Sequence, residues 1–180
     1  EAALQRTADI LQQDLLDLAK QSLEVTTGAP QAGDIYLTLD VAQAGLGTEG
    51  YELNIGEYAS IASSNQTGVM FGTRTVLQLL GHSPDHKAMP KGQTRDYPKY
   101  PDRGFMLDVA RKFYTIEFLQ DYVKLMSYYK MNRFQIHLND DVGDVGKFRL
   151  ESETFPGMTS TDGFYTKQQF RDLQLLGMEY

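Results

Sequence analysis

Between residues 103 and 138 an apolar run, a capped amphipathic helix and a second apolar run follow one another with little in between, and this order constrains the chain most. Residues 105–110, FMLDVA, are apolar except for Asp108, the pattern of a strand buried on both faces. Thr115 is placed to cap a helix over 116–129, with Glu117 near its positive end. Residues 134–138, FQIHL, read as the next strand. Thr166 and Gln169 make a capping box, Tyr165 and Phe170 a hydrophobic staple, and together they start a helix running to about Met178. Strand, helix, strand, loop, helix is the opening of a parallel βα series, and the order fits either a barrel or a doubly wound sheet.

Upstream the pattern differs. Leu4, Ala8, Leu11, Leu15 and Leu18 form one apolar stripe, predicting a helix over 4–19. Residues 23–27 and 34–39 read as extended, divided by the turn-prone Gly28-Ala29-Pro30. Residues 51–55 and 58–62 read as a hairpin about Gly56, and 68–80 as a second helix. These elements predict a small α/β layer in which helices cover a sheet. Residues 82–102 hold four prolines among polar groups. Proline lacks a backbone donor and forces its neighbour extended, so this stretch is expected to be a linker, with the boundary near Asp96. The expected domains are therefore 1–96 and 97–180.

Composition removes several function classes. The formal net charge of −7 argues against nucleic acid as the main partner, because phosphate binding needs a basic face. With no cysteine, disulfides, thiolate metal sites and a cysteine nucleophile are excluded. No window reaches the ~18 apolar residues of a membrane span, and no basic patch followed by an apolar run opens the sequence.

In parallel βα proteins, ligands bind at the carboxyl ends of the strands. Arg111 follows the first buried run; His137, Asn139, Asp140 and Asp141 close the second. From pattern alone, Arg111 reads most simply as an ion-pair partner of Asp108, and His137 as a hydrogen-bonded core histidine. Asp140 and Asp141 point to opposite faces if the strand continues, so one faces the site and the other caps a loop. Asp140, Asp141 and Asp144 follow the D-D-x-x-D spacing that holds magnesium against a diphosphate, but that arrangement belongs on a long helix. A calcium loop starting at Asp140 would place Glu151 correctly yet put Val145 where a glycine is required. No metal or cofactor is implied.

The runs RGFMLDVARKF (103–113) and KMNRFQIHLNDD (130–141) resemble the first βαβ unit of family 20 glycoside hydrolases, which reads R-G-x-x-L-D-x-x-R and then K-x-N-x-F-x-x-H-L-x-D-D. GYEL (50–53) and GVMFGTRTVLQL (68–79) look like the accessory α/β domain that precedes that family's barrel. The resemblance implies an accessory α/β sandwich domain followed by the first two βα units of a TIM (β/α)8 barrel. It implies that Arg111 hydrogen-bonds the terminal sugar and that Asp140 supports the catalytic acid through a histidine further on. His137 and Asp141 would order the strand end, and Asp108 is expected to be a structural residue beside the site.

Chemistry in this family is substrate-assisted: the sugar's acetamido oxygen attacks its own anomeric carbon while a glutamate protonates the leaving oxygen. The Asp-Glu pair responsible follows the fourth strand, so no catalytic residue is expected in this segment, and the segment alone is expected to be inactive. Gln135 stands where the family often has histidine, and no tryptophan follows Asp141. The resemblance implies a retaining, exo-acting glycosidase that removes β-linked N-acetylhexosamine, or, as these departures also fit, a lacto-N-biosidase-like branch that releases a disaccharide ending in it. The expected partners are glycans containing N-acetylhexosamine, the expected location extracellular or cell-surface, and self-association is expected of an incomplete barrel. The alternative is a non-catalytic carbohydrate-binding or scaffold module.

Overall fold

The computed structural model describes residues 2–40, 45–143 and 145–180. The chain divides into two compact units, Glu1–Pro101 and Asp102–Tyr180.

In the first unit, α1 (Gln5–Ala19) buries Thr7, Ile10, Leu11 and Leu15 on one stripe and ends at Lys20 in the left-handed region, φ 55°. Its partner α2 (Gln66–His82) starts at Asn65, whose side chain accepts from the Thr67 amide. Strands β1 (Ile35–Leu39), β2 (Tyr51–Ile55), β3 (Ala59–Ser63) and β4 (Gly92–Asp96) form one sheet in the order β1-β3-β2-β4. The β1–β3 pair is parallel and the other two pairs are antiparallel. Helix α2 packs against both α1 and the sheet, which is why it is buried nearly all round. At Gly72 a Cβ would collide with Ile61 and crowd Tyr51, so the glycine sets how closely the helix approaches the strands. Arg74, 2% exposed, crosses to Asp14 at 2.7 Å and joins the two helices.

Two expectations fail here. Residues 23–27 form no strand: the Leu23 carbonyl accepts from the Gln12 side chain, and the segment lines a cleft beside α1. The expected linker contains β4, which pairs with β2 along its length. All of β4 except Asp96 is exposed. An edge strand needs only its backbone, so polar side chains gave no sign of it.

In the second unit, β5 (Gly104–Asp108) pairs in parallel with β6 (Arg133–His137), and α3 (Ile116–Tyr128) connects them. Thr115 caps α3 by accepting from the Phe118 amide. Helix α4 (Lys167–Glu179) begins with the full capping box of Thr166 and Gln169. Alternation places Phe105, Leu107, Phe134 and Ile136 on one face of the strand pair and Met106, Asp108, Gln135 and His137 on the other. The first face meets α3, where Phe134 stacks on Tyr122 and Phe105 packs against the same ring at a tilt. The core gathers Val109, Leu119, Val123, Tyr165 and Leu173.

Burial on both faces of β5 does not occur. Phe105 is 39% exposed and Met106 51%, because β5 has a single paired neighbour among the described residues. Beyond β6 the chain does not run into a plain loop. Instead β7 (Asn139–Val142) and β8 (Val145–Phe148) form an antiparallel hairpin. Among the described residues, no helix is long and apolar enough to cross a membrane.

Candidate functional site

The parallel register aligns Asp108 with His137, so the last residues of β5 and β6 stand side by side. The ladder runs one bond further, from the Val109 amide to the His137 carbonyl at 3.1 Å. The chain then turns at Ala110 and Arg111. Both of their amides donate to Asp108 Oδ1, at 2.9 and 3.0 Å. This turn sends the Arg111 side chain back across the strand ends. Its Nη1 meets Asp108 Oδ2 at 2.5 Å and Asp140 Oδ2 at 2.7 Å. The same Asp140 oxygen bonds His137 Nε2 at 2.8 Å, and its other oxygen accepts from the Asp141 amide at 2.7 Å.

Sequence reasoning singled out five residues, and four of them converge. Asp141 does not: it lies exposed in β7, opposite Gly146. Asp144, the third aspartate of the magnesium spacing, lies outside the described residues. Single ligand atoms of Asp108, His137 and Asp140 lie within 4.8 Å of one another, close enough to share a cation. Arg111 already supplies positive charge to both carboxylates, so a metal ion would have to displace it or suffer repulsion.

The electrostatics define what the cluster can do. Bonds from the Arg111 amide, and then from its guanidinium, hold the Asp108 carboxyl below the usual carboxylate range. The His137 ring and the Asp141 amide do the same for Asp140. Asp108 in turn raises Arg111 further above its already high value. Both carboxylates are therefore ionised near neutral pH, and neither can donate a proton as a general acid. The arrangement fixes a cation in place. Both ion pairs use Nη1, and Arg111 remains 57% exposed. The other donors of its planar fork make no bond among the described residues, so they are free to meet a ligand.

Arg149 escaped the sequence reading. It is 2% exposed and donates to the carbonyls of Val109 and Ala110 and to Asp162. Beside it, Tyr165 donates to the Tyr114 carbonyl at 2.6 Å, and burial pushes its phenol up to about 12. Gly163, at φ 133°, presses so close to Phe113 that a Cβ would lie 2.6 Å from the ring. The only sequence signal was an arginine flanked by Phe148 and Leu150.

The description "Glycosyl hydrolase family 20, domain 2" matches residues 1–97, and "Glycosyl hydrolase family 20, catalytic domain" matches residues 100–179. The chain belongs to glycosyl hydrolase family 20. A β-hexosaminidase of Porphyromonas gingivalis is 32% identical over 94% of this family 20 chain, which spans 24% of that protein. A β-hexosaminidase of Akkermansia muciniphila is 34% identical over 71% of the chain and 28% of its own length. The chain thus spans about a quarter of these curated relatives. The GH20 β-N-acetylhexosaminidase of Streptomyces coelicolor A3(2) superposes with a TM-score of 0.84 at 26% identity, over 99% of this chain and 38% of that one. A mutant Streptomyces plicatus β-hexosaminidase in complex with GlcNAc gives 0.87 at 24% identity, with the same coverage, a likeness of fold. The chain is thus a mixed α/β pair, the family's domain 2 followed by the start of its catalytic domain.

Proposed function

We propose that these residues belong to a retaining, exo-acting β-N-acetylhexosaminidase, and that Arg111 anchors the terminal sugar. The observation that carries this is the pinned guanidinium at the strand ends, fixed through Nη1 and, among the described residues, open at its remaining donors. An always-charged planar fork can bind two neighbouring hydroxyls of a pyranose at once. Holding the ring there sets its acetamido oxygen against its own anomeric carbon, the substrate-assisted route to an oxazolinium intermediate.

Asp108 and Asp140 keep Arg111 oriented without taking part in proton transfer. The sequence contains no Asp-Glu dipeptide, so the acid and the acetamide-orienting carboxylate of this reading come from residues other than these. The segment alone then binds sugar but does not cleave it. The substrate class favours a glycan at the cell surface or outside the cell. Gln135, on the same face as Asp108 and His137, stands where the family often has histidine, which leaves a disaccharide such as lacto-N-biose as the alternative leaving unit.

The test is hydrolysis of a chromogenic N-acetyl-β-glucosaminide and of a lacto-N-biose analogue by the whole protein, with and without Arg111→Ala. Losing a charged anchor is expected to lower kcat/KM by about 100-fold or more. Whichever substrate is cleaved fixes the size of the leaving unit. A whole protein inactive on both would favour a non-catalytic carbohydrate-binding module, with Arg111 a structural ion-pair partner.

A further inference from the structure

We infer that Arg149 is a positioning residue for Arg111, acting through the main chain of the turn that carries it. The inference rests on the reading of Arg111 as the sugar anchor.

The turn at residues 109–111 is gripped on both of its polar edges. Its amides are taken by the His137 carbonyl, for Val109, and by Asp108, for Ala110 and Arg111. Its carbonyls are taken by Arg149. Nε donates to Val109 O at 3.2 Å and to Ala110 O at 3.1 Å, and Nη2 donates to Ala110 O at 2.9 Å. The rest of the fork is tied down too. Nη1 donates to Asp162 Oδ1 at 2.7 Å and to the Gly163 carbonyl at 2.9 Å, and Nη2 reaches Asp162 Oδ2 at 3.4 Å. The Phe113 ring lies 5.6 Å from the guanidinium carbon. All five N–H groups thus have acceptors.

Such a group costs much to bury, and a hydrophobic residue could fill the space. What a hydrophobic residue could not do is hold two successive carbonyls, of which the second belongs to the peptide bond leading into Arg111. Lysine could not do it either, because a single ammonium cannot reproduce the fork. The ion pairs of Arg111 fix the tip of its side chain, and Arg149 fixes its root.

The experiment is steady-state hydrolysis by the whole protein of whichever chromogenic substrate it cleaves, the N-acetyl-β-glucosaminide or the lacto-N-biose analogue. Arg149→Lys and Asp162→Ala are measured alone and combined with Arg111→Ala, with a thermal melt of each. Misplacing the anchor is expected to cut kcat/KM about 10- to 100-fold in Arg149→Lys. The same change added to Arg111→Ala should cost nothing more, because its effect runs through the missing side chain. Asp162→Ala, a change at a half-exposed site that keeps the arginine, should give a smaller loss that also vanishes in the Arg111→Ala background. It decides the matter if Arg149→Lys does not fold. A purely structural Arg149 would lower the melting temperature, leave kcat/KM per folded molecule unchanged, and multiply with Arg111→Ala; that result overturns the inference. Full activity in Arg111→Ala would instead sink the sugar-anchor reading, and this inference with it.

Discussion

Asp140 is the residue on which the cluster turns, since one of its oxygens serves both Arg111 and His137. Asp140→Asn keeps the shape but removes the charge that faces the guanidinium. We expect the whole protein to lose activity about 10-fold or more through a mis-aimed anchor. Its thermal melt should barely move, because exposed ion pairs contribute little to folding. Kinetics and a melt on the same sample check both halves, and a large drop in melting temperature would show the pair to be structural. Asp108, Arg111, His137 and Asp140 were legible in the sequence because each lies within a few residues of a strand end that apolar runs announce. Arg149 was not, because its meaning lies in carbonyls 39 and 40 residues earlier in the chain. Within a local window, only the flanking Phe148 and Leu150 separate it from a solvated arginine.

At the scale of elements, charge helps tie strand β8 to the segment before α4. Asp162 accepts from Arg149 and Lys147, which pulls its carboxyl down from 3.8 to about 2. Because the folded value lies below the unfolded one, its contribution is fully present above about pH 4 and is lost as pH falls toward 2. The expected outcome is a melting temperature that drops over this range in the intact chain and drops less in Asp162→Ala. Equal slopes would mean that the pairing does not stabilise the fold. The helices were legible at this scale through their caps, Thr115 and Thr166, whose side chains act within three residues. Strand β4 was not, since pairing with β2 leaves no mark on exposed polar side chains. Residues 23–27 misled in the opposite sense: β-branched residues suit a strand, but among the described residues no partner strand meets them.

At the scale of the molecule, the second unit leaves the apolar residues of strand β5 partly exposed on both of its faces. Phe105 and Met106 lie on β5, whose pairing among the described residues is with β6 alone. An apolar strand with an open edge is a template for another chain. The 180-residue chain by itself is therefore expected to self-associate, with weak hydrogen-exchange protection along β5. A monomer in light scattering that is protected throughout would contradict this. The long reach of Arg149 also has a consequence in time. A ribosome adding about 5–20 residues per second delivers Arg149 several seconds after Arg111. Asp162 and Gly163, which complete the clasp, come later still. During synthesis the turn bearing Arg111 therefore exists first with its carbonyls ungripped, and the anchor matures only once Gly163 has been made.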